Sequence, residues 1–460
     1  MEHITIKDIV KATGGTLLCG DENKEIKDFS IDSRQGNPDT IFVPIIGEKV
    51  DAHRFLDSAL LINGAAFTSE HDHMESEKPV IRVKDTVEAM QKTGTFYRNM
   101  MNPLVVAVTG SVGKTTTREM IATAFSAEKN VFQTAGNQNS QIGVPLTLAH
   151  IEKEHEAAVL EIGMSERGQI ETLTMMIRPD IAVVTTIGVS HIAQLKTQEN
   201  ICLEKMDIVK GLPEDGMVFL NGDDPFLVKY RGKLDKKLFF YGLDEDCDYR
   251  AEDIITKDGC TSFLFCTGEE KLPVVLGTMG EHNVRNALAA LGIIHQKGLD
   301  VKKAAKKLET FRGQRQQIIE TSKCTVIDDT YNASPDSMKA ALRVLASMEG
   351  VKGRRIAGLA DMLELGENEK AFHYEVGQFA AEQNIDIVTC YGELSREILK
   401  GIADKTDRIV VRHFETREEM KDWLFSTVLP EDIVLLKGSN GMKLKEIANA
   451  FLLEEKEPEA

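Results

Sequence analysis

The sequence predicts an α/β protein of three domains, two of them built on parallel sheets with helices on both faces. Three observations carry that prediction. The chain has 460 residues, and a domain averages about 150. From residue 104 onward, short continuously apolar runs alternate with amphipathic stretches, the pattern of parallel strands buried on both faces. From about residue 313 the same alternation runs again, which marks a second doubly wound unit.

Composition narrows the class. Hydrophobic residues make up 42% and charged residues 28%, ordinary globular values that exclude a disordered, collagenous or low-complexity chain. Against 55 Lys and Arg stand 73 Asp and Glu, for a formal charge of −18. That balance argues against nucleic-acid or anionic-membrane partners, since no general attraction to phosphate backbones is available. A small polyanion held by a local cluster of donors is still allowed. The seven cysteines (Cys19, Cys202, Cys247, Cys260, Cys266, Cys324, Cys390) are dispersed without a Cys-x-x-Cys pair and read as reduced thiols. Residues 1–5 show neither a basic n-region nor an apolar h-region, and no apolar run is long enough to cross a bilayer. The expectation is a cytoplasmic protein without membrane insertion.

Taken in order, residues 1–102 form a small α/β segment. It has a strand at 41–44 and helices at 55–62 and 86–100, and Asn102-Pro103 ends it. Residues 103–312 carry strands at 104–108, 157–162, 181–187 and 217–220. Residues 313–460 carry strands at 325–327, 355–359, 385–390, 408–411 and 433–436, in a Rossmann-like arrangement. Ser334-Pro335 places an N-cap before a first-turn proline, and Thr416-Arg417-Glu418-Glu419 is a capping box before a helix at 420–428. The acidic tail at 454–460 reads as frayed.

The strongest local signal is Thr109-Gly110-Ser111-Val112-Gly113-Lys114-Thr115-Thr116-Thr117, which follows the strand at 104–108 and opens a helix. Glycines let backbone N–H groups approach phosphates and the helix N-terminus favours anions. Lys114 reaches the terminal phosphates, and Thr115 can ligate Mg²⁺. Gly110, Ser111, Val112, Gly113, Lys114, Thr115 and Thr116 are therefore the candidate nucleotide cradle, and the central domain reads as P-loop ATPase-like. The loop is shorter than the general pattern, which would place a glycine at Val108. Glu161 follows a buried run at 157–160, where parallel sheets bind ligands, and is either a metal ligand or a strand-end cap. On the residues alone, His191 reads as a packed or capping histidine and Lys205 as a solvated surface lysine.

The loop at 109–117 resembles that of the Mur ligases, the ATP-dependent amide-forming enzymes of peptidoglycan precursor synthesis. Further segments match in family order: Gly136-Asn137-Gln138-Asn139-Ser140-Gln141, Gly280-Glu281-His282-Asn283-Val284-Arg285-Asn286, and Asp328-Asp329-Thr330-Tyr331-Asn332-Ala333-Ser334-Pro335-Asp336-Ser337-Met338. Ala360-Asp361-Met362-Leu363-Glu364-Leu365-Gly366 and Lys437-Gly438-Ser439 belong to the same set, as do Asp32-Ser33-Arg34 and Asp51-Ala52-His53-Arg54-Phe55. Ser140, Thr186 and Asn440 depart from the family pattern.

The resemblance implies ATP, two Mg²⁺ ions and, as small-molecule substrates, UDP-MurNAc-tripeptide and D-Ala-D-Ala joined through an acyl phosphate. It implies metal ligands Thr115, Glu161, His191 and Lys205, the last as a carbamate, and catalytic roles for Lys114, Lys205, His191 and Asn139. Asn283 and Asn286 are then adenine contacts, and Arg315 and Asp329 nucleotide contacts. On the residues alone, Arg315 reads equally well as a linker arginine paired with a local carboxylate. Asp32, Ser33 and Arg34 fall on the uridine side, and Tyr331, Asn332 and Ser334 on the dipeptide side. The active species is expected to be a monomer.

Overall fold

The computed structural model describes residues 1–453 apart from Asp258, Glu269 and Glu349; the acidic tail at 454–460 lies outside the described residues. Its chain is mixed α/β, with three sheets of five, nine and six strands, and gathers into two units. One comprises Met1–Thr109, Glu128–Val183 and Met206–Val218; the other comprises Gly110–Ala127, Val184–Lys205 and the chain from Phe219 onward.

In the first unit a five-stranded sheet runs in the order Thr16–Cys19, Val80–Arg82, Ala65–Thr68, Thr40–Phe42, Asp28–Ser30. It is parallel except at the Thr16–Cys19 edge. The helix Leu56–Ile62 buries Leu56, Ala59 and Leu60 against Phe42, Ala66 and Val80. The helix Thr86–Met101 stops at Asn102, whose φ of +48° turns the chain into Pro103, as the Asn-Pro pair predicts. Two of its side chains rivet it to later segments of the same unit. The Tyr97 hydroxyl donates to Ile151 O at 2.6 Å, and the buried Arg98 guanidinium donates to Ile177 O at 2.7 Å.

Also in this unit, Val131–Gln133, Ala157–Glu161 and Leu104–Thr109 pair in parallel in that order. Val108 and Glu161 are register partners. Glu161 therefore stands at the carboxyl edge of the strands, level with the backbone two residues before Gly110.

In the second unit a six-stranded sheet runs Gln317–Glu320, Thr325–Asp328, Ile433–Lys437, Arg355–Ala360, Ile387–Tyr391, Val410–Phe414, parallel except for the first hairpin. Alternate residues serve opposite faces, as strand pleating requires. Ile327, Ala357, Leu359 and Leu435 pack with Met338 and Leu342 of the helix Pro335–Ser347. Val326, Ile356, Val434 and Leu436 pack with Met420 and Leu424 of the helix Arg417–Thr427. The doubly wound expectation holds for this sheet.

Three local readings change. The strand expected at 181–187 ends at Val184, because Thr185 and Thr186 leave the ladder to bond the loop at 110–113 and Ile187 N–H turns to Asp224. The strand expected at 408–411 lies at Val410–Phe414; it is an edge strand with Val410 60% exposed, so burial did not mark its ends. Four strands without a clear apolar signature, Lys237–Gly242, Tyr249–Lys257, Cys260–Thr267 and Glu270–Leu276, extend the central segment by one parallel and two antiparallel pairings.

Candidate active site

The phosphate loop is built from backbone geometry. Gly110 adopts φ +150° and Gly113, the N-cap of the helix Lys114–Phe125, φ +87°. A Cβ on Gly110 would stand 1.8 Å from Thr185 Oγ1, so only glycine fits. The residues that left the strand hold the loop. Ser111 N–H donates to Thr186 O at 2.8 Å, Val112 N–H to Thr186 Oγ1 at 3.2 Å, and Thr185 Oγ1 to Val112 O at 2.6 Å. Thr186, one of the departures from the family pattern, thus has a structural task here.

Positive charge gathers at the same place. Lys114 Nζ donates to Gly110 O at 2.8 Å, and Lys205 Nζ, from the helix Gln198–Met206, donates to the same oxygen at 3.0 Å. Lys205 is only 2% exposed, which overturns its reading as a surface lysine. Among the described residues the Ser111 hydroxyl is buried without a hydrogen-bond partner. A positive-φ glycine cradle, the Lys114 ammonium beside it and an orphaned hydroxyl at a helix N-terminus together fit a polyphosphate.

His191 opens the short helix Ile192–Leu195 from a left-handed backbone, φ +63°. Burial first, then the Lys205 charge and that of Lys114, push its pKa below the ordinary value, against the opposing pull of Glu364. A neutral imidazole keeps a lone pair for a cation. The loop that carries it is tied down by Asp224, whose carboxylate accepts from Ile187 N–H at 2.7 Å, Phe226 N–H at 2.9 Å and Leu227 N–H at 3.1 Å. Sequence reading did not single out Asp224; the turn-rich Asn221-Gly222-Asp223-Asp224-Pro225 after a strand was the available signal. The Thr115 hydroxyl and the neutral imidazole suit a divalent cation such as Mg²⁺.

Glu161 and Asn139 lie in the first unit. Glu161 is 3% exposed, and Asn139 Nδ2 donates to its Oε1 at 2.7 Å. Asn139 is itself clamped, because Gly163 N–H donates to its carbonyl at 2.8 Å and a Cβ on Gly163 would touch its amide at 3.2 Å. Asn139 orients Glu161.

Arg315 joins two predicted groups of the second unit. Its guanidinium lies 3.1 Å from the centre of the Tyr331 ring, and Nη2 lies 3.5 Å from Thr115 Oγ1. Asp329 forms a buried ion pair with Lys437 at 2.7 Å, and Lys437 also donates to Asn332 O at 3.0 Å. Ser334 N–H donates to Ser337 Oγ at 2.9 Å and starts the helix Pro335–Ser347. Asn283 and Asn286 use their amides internally. Asn286 Oδ1 accepts from Thr117 at 2.9 Å and so supports the phosphate-loop helix, while Asn283 Nδ2 donates to Met279 O at 2.8 Å and ties down the turn before its own helix.

In the first unit, Arg34 grips Asp32 through Nε at 2.9 Å and Nη2 at 2.8 Å on an exposed turn that includes Ser33. That grip holds the Asp32 carboxyl down to about 2. His53 sits between Asp51 Oδ1, 2.7 Å from Nδ1, and Ser69 N–H, which donates to Nε2 at 3.0 Å. Both ring nitrogens are engaged, so the cluster Asp51, His53 and Glu70 is a hydrogen-bonded clip. Among the described residues, no helix is long and apolar enough to cross a membrane.

The chain matches two family models, the Mur ligase middle domain over residues 108–294 and the Mur ligase glutamate ligase domain over 314–440. It is 35% identical to the UDP-N-acetylmuramoyl-tripeptide–D-alanyl-D-alanine ligase of Bacillus subtilis, over 97% of this chain and 98% of that protein. It superposes on a MurF crystal structure from Acinetobacter baumannii with a TM-score of 0.89, at 27% identity and 98% coverage of both chains. The MurF ligase of Thermotoga maritima in complex with ADP gives a TM-score of 0.82 at 27% identity, over 93% of this chain and 98% of that one. A phosphate loop braced from the neighbouring strand, a buried lysine on the same carbonyl as the loop lysine, and full-length likeness of sequence and fold agree: the chain belongs to the Mur ligase family.

Proposed function

We propose that this chain is an ATP-dependent amide ligase that joins D-Ala-D-Ala to UDP-MurNAc-tripeptide, giving the pentapeptide precursor, ADP and phosphate. The observation that carries the reading is the loop at 110–114 with Lys114 and Lys205 on one carbonyl, set within full-length likeness to ligases of that name.

A carboxylate is a poor electrophile, and joining it to an amine in water is uphill. ATP removes both obstacles: the tripeptide's terminal carboxylate attacks the γ-phosphate to give an acyl phosphate, and the dipeptide amine then displaces phosphate. Such transfers ask the protein chiefly for positioning and charge stabilisation. The helix N-terminus that Gly113 opens and the Lys114 ammonium bind the β- and γ-phosphates, and the Ser111 hydroxyl gains the acceptor it lacks. Arg315 leaves its stacked position beside Thr115 for a phosphate oxygen.

Thr115, Glu161, His191 and Lys205, the last as a carbamate, are the donors for two Mg²⁺ ions, with Asn139 orienting Glu161. When bound, the ions offset the like charge of carboxylate and triphosphate. Asn283 and Asn286 border the adenine, and Asp329 the ribose. Asp32, Ser33 and Arg34 take the uridine nucleotide, while Tyr331, Asn332 and Ser334 take the dipeptide. The work divides among residues 1–102 for the UDP-substrate, 103–312 for ATP and 313–460 for the dipeptide, in a monomeric cytoplasmic enzyme.

Phosphate release measured with UDP-MurNAc-tripeptide and D-Ala-D-Ala, with mass spectrometry of the product, tests this. The expected result is release that requires both substrates and one amide formed per phosphate. Equal release without the dipeptide, and no amide, would refute it.

A further inference from the structure

The segment Asp361-Met362-Leu363-Glu364-Leu365-Gly366, which follows the strand Arg355–Ala360, has no part in the chemistry above, yet it is held unusually firmly. Met362 N–H donates to Nε2 of the fully buried His373 at 2.9 Å, and Leu363 N–H donates to Ser439 Oγ at 2.9 Å. Ser439 N–H returns a bond to Asp361 O at 3.1 Å, and the Asp361 carboxylate accepts from Ser395 N–H at 2.8 Å. Met362 and Leu365 are buried in a cluster against which Val189 packs. Gly366, φ +66°, lies against Ala193, whose Cα would be 3.3 Å from an added Cβ.

Between these anchors Glu364 adopts φ +64°, a conformation a side chain enters at some cost. That backbone brings Glu364 Oε2 to 3.1 Å from His191 Nδ1, a buried ring nitrogen that makes no well-aligned hydrogen bond here, so the carboxylate is the acceptor within reach of it. A pinned loop holding one non-glycine residue in the left-handed region is the construction of an aimed side chain.

We infer that Glu364 is a positioning residue for His191: with a small turn of the ring its carboxylate accepts the Nδ1–H, fixes ring and tautomer, and leaves Nε2 to a divalent cation. A histidine that binds a metal ordinarily gives its other ring N–H to a carboxylate or carbonyl, and losing that partner weakens metal binding by about 10- to 100-fold. The inference rests on His191 being a metal ligand, which is part of the proposed function. It adds that the segment assigned to the dipeptide also completes the cation site, and it gives Ser439, Asp361 and His373 a task, that of holding Glu364 in place.

The test is Mn²⁺ binding to the full chain with a non-hydrolysable ATP analogue, followed by electron paramagnetic resonance, beside thermal melts. E364A is expected to weaken Mn²⁺ binding by about 10-fold or more with an unchanged melting temperature. E364Q, whose amide oxygen still accepts Nδ1–H, should stay within a few-fold of the parent. H191A and H191A/E364A should bind equally weakly, since the glutamate acts through the imidazole. Parental affinity in folded E364A would overturn the inference alone. So would E364Q falling as far as E364A, which would make the carboxylate a direct ligand. Parental affinity in H191A would overturn both this inference and the ligand role of His191.

Discussion

Residues 110–117 and residues 328–334 both come after buried strands and both lead into helices, yet different forces hold them. The first loop is shaped by backbone: two positive-φ glycines, main-chain bonds to Thr185 and Thr186, and no space beside Gly110. The second is shaped by charge: Lys437 with Asp329 at 2.7 Å, and Lys445 on the Asp328 carboxylate. The first loop spends its Ser111 and Val112 N–H groups on Thr186 and makes its tightest approach at Gly110, so its form comes from glycine and from the Thr185–Thr186 segment. A loop that presents side chains can be locked by ion pairs beneath them. The first should therefore be sensitive to volume and the second to charge.

G110A tests the volume side and should have the largest effect. The added methyl meets Thr185 Oγ1 at 1.8 Å on a backbone of φ +150°; calorimetric titration with an ATP analogue should detect no binding. Retained affinity would mean that the loop is not set by close approach. On the charge side, K437M leaves the Asp329 carboxylate buried without its cation. Breaking one partner of a buried pair costs about 3–5 kcal/mol, readable as a lower denaturant midpoint; a loss below about 1 kcal/mol would show water already screening the pair.

A smaller effect is expected at the buried Asp432, which anchors the opposite end of the same sheet. Burial raises its pKa, but Arg354 and two backbone N–H donors more than reverse this, and the net shift is downward. Arg354 Nη2 lies 2.6 Å from Asp432 Oδ2. A lowered acid contributes stability above its unfolded pKa of about 4 and loses it as the pH falls through the folded value. D432N should therefore cost about 2 kcal/mol at pH 7, less than K437M because Arg354 keeps some solvent, and the gap to the parent should narrow below pH 4. A gap that widens in acid would contradict the sign. R34A is the mildest case. The Arg34–Asp32 pair is exposed, so stability should change by less than about 0.5 kcal/mol, whereas KM for the UDP-substrate should rise. A KM unchanged by R34A would remove Arg34 from the uridine site.

The same contrast explains what was legible in the sequence. Strands such as Leu104–Thr109 and Ile433–Lys437 are apolar up to their last residue and buried along nearly their whole length, so hydrophobic runs revealed them. The phosphate loop declared itself because glycine spacing is a local record of backbone shape. Tyr249–Lys257 buries Tyr249 and Ala251 but alternates between half-buried and exposed positions from Glu252 on, too polar a pattern to stand out from its neighbours. Lys205 and Glu364 were beyond reach for another reason: their partners, Gly110 and His191, lie 95 residues away in the first case and in a different strand–loop segment in the second. Such contacts exist only after folding, and periodicity does not encode them. The family resemblance supplied Lys205; it marked the segment at 360–366 but gave Glu364 no role.

The central claim is that Lys114 helps hold a triphosphate whose γ-phosphate activates an acid for amide formation. It is tested most directly by amide formation in K114A, with folding verified by circular dichroism. The account predicts a fall of about 100-fold or more in turnover, the scale of losing one preorganised charge contact to the transition state. A folded K114A that makes amide at the parental rate would contradict it.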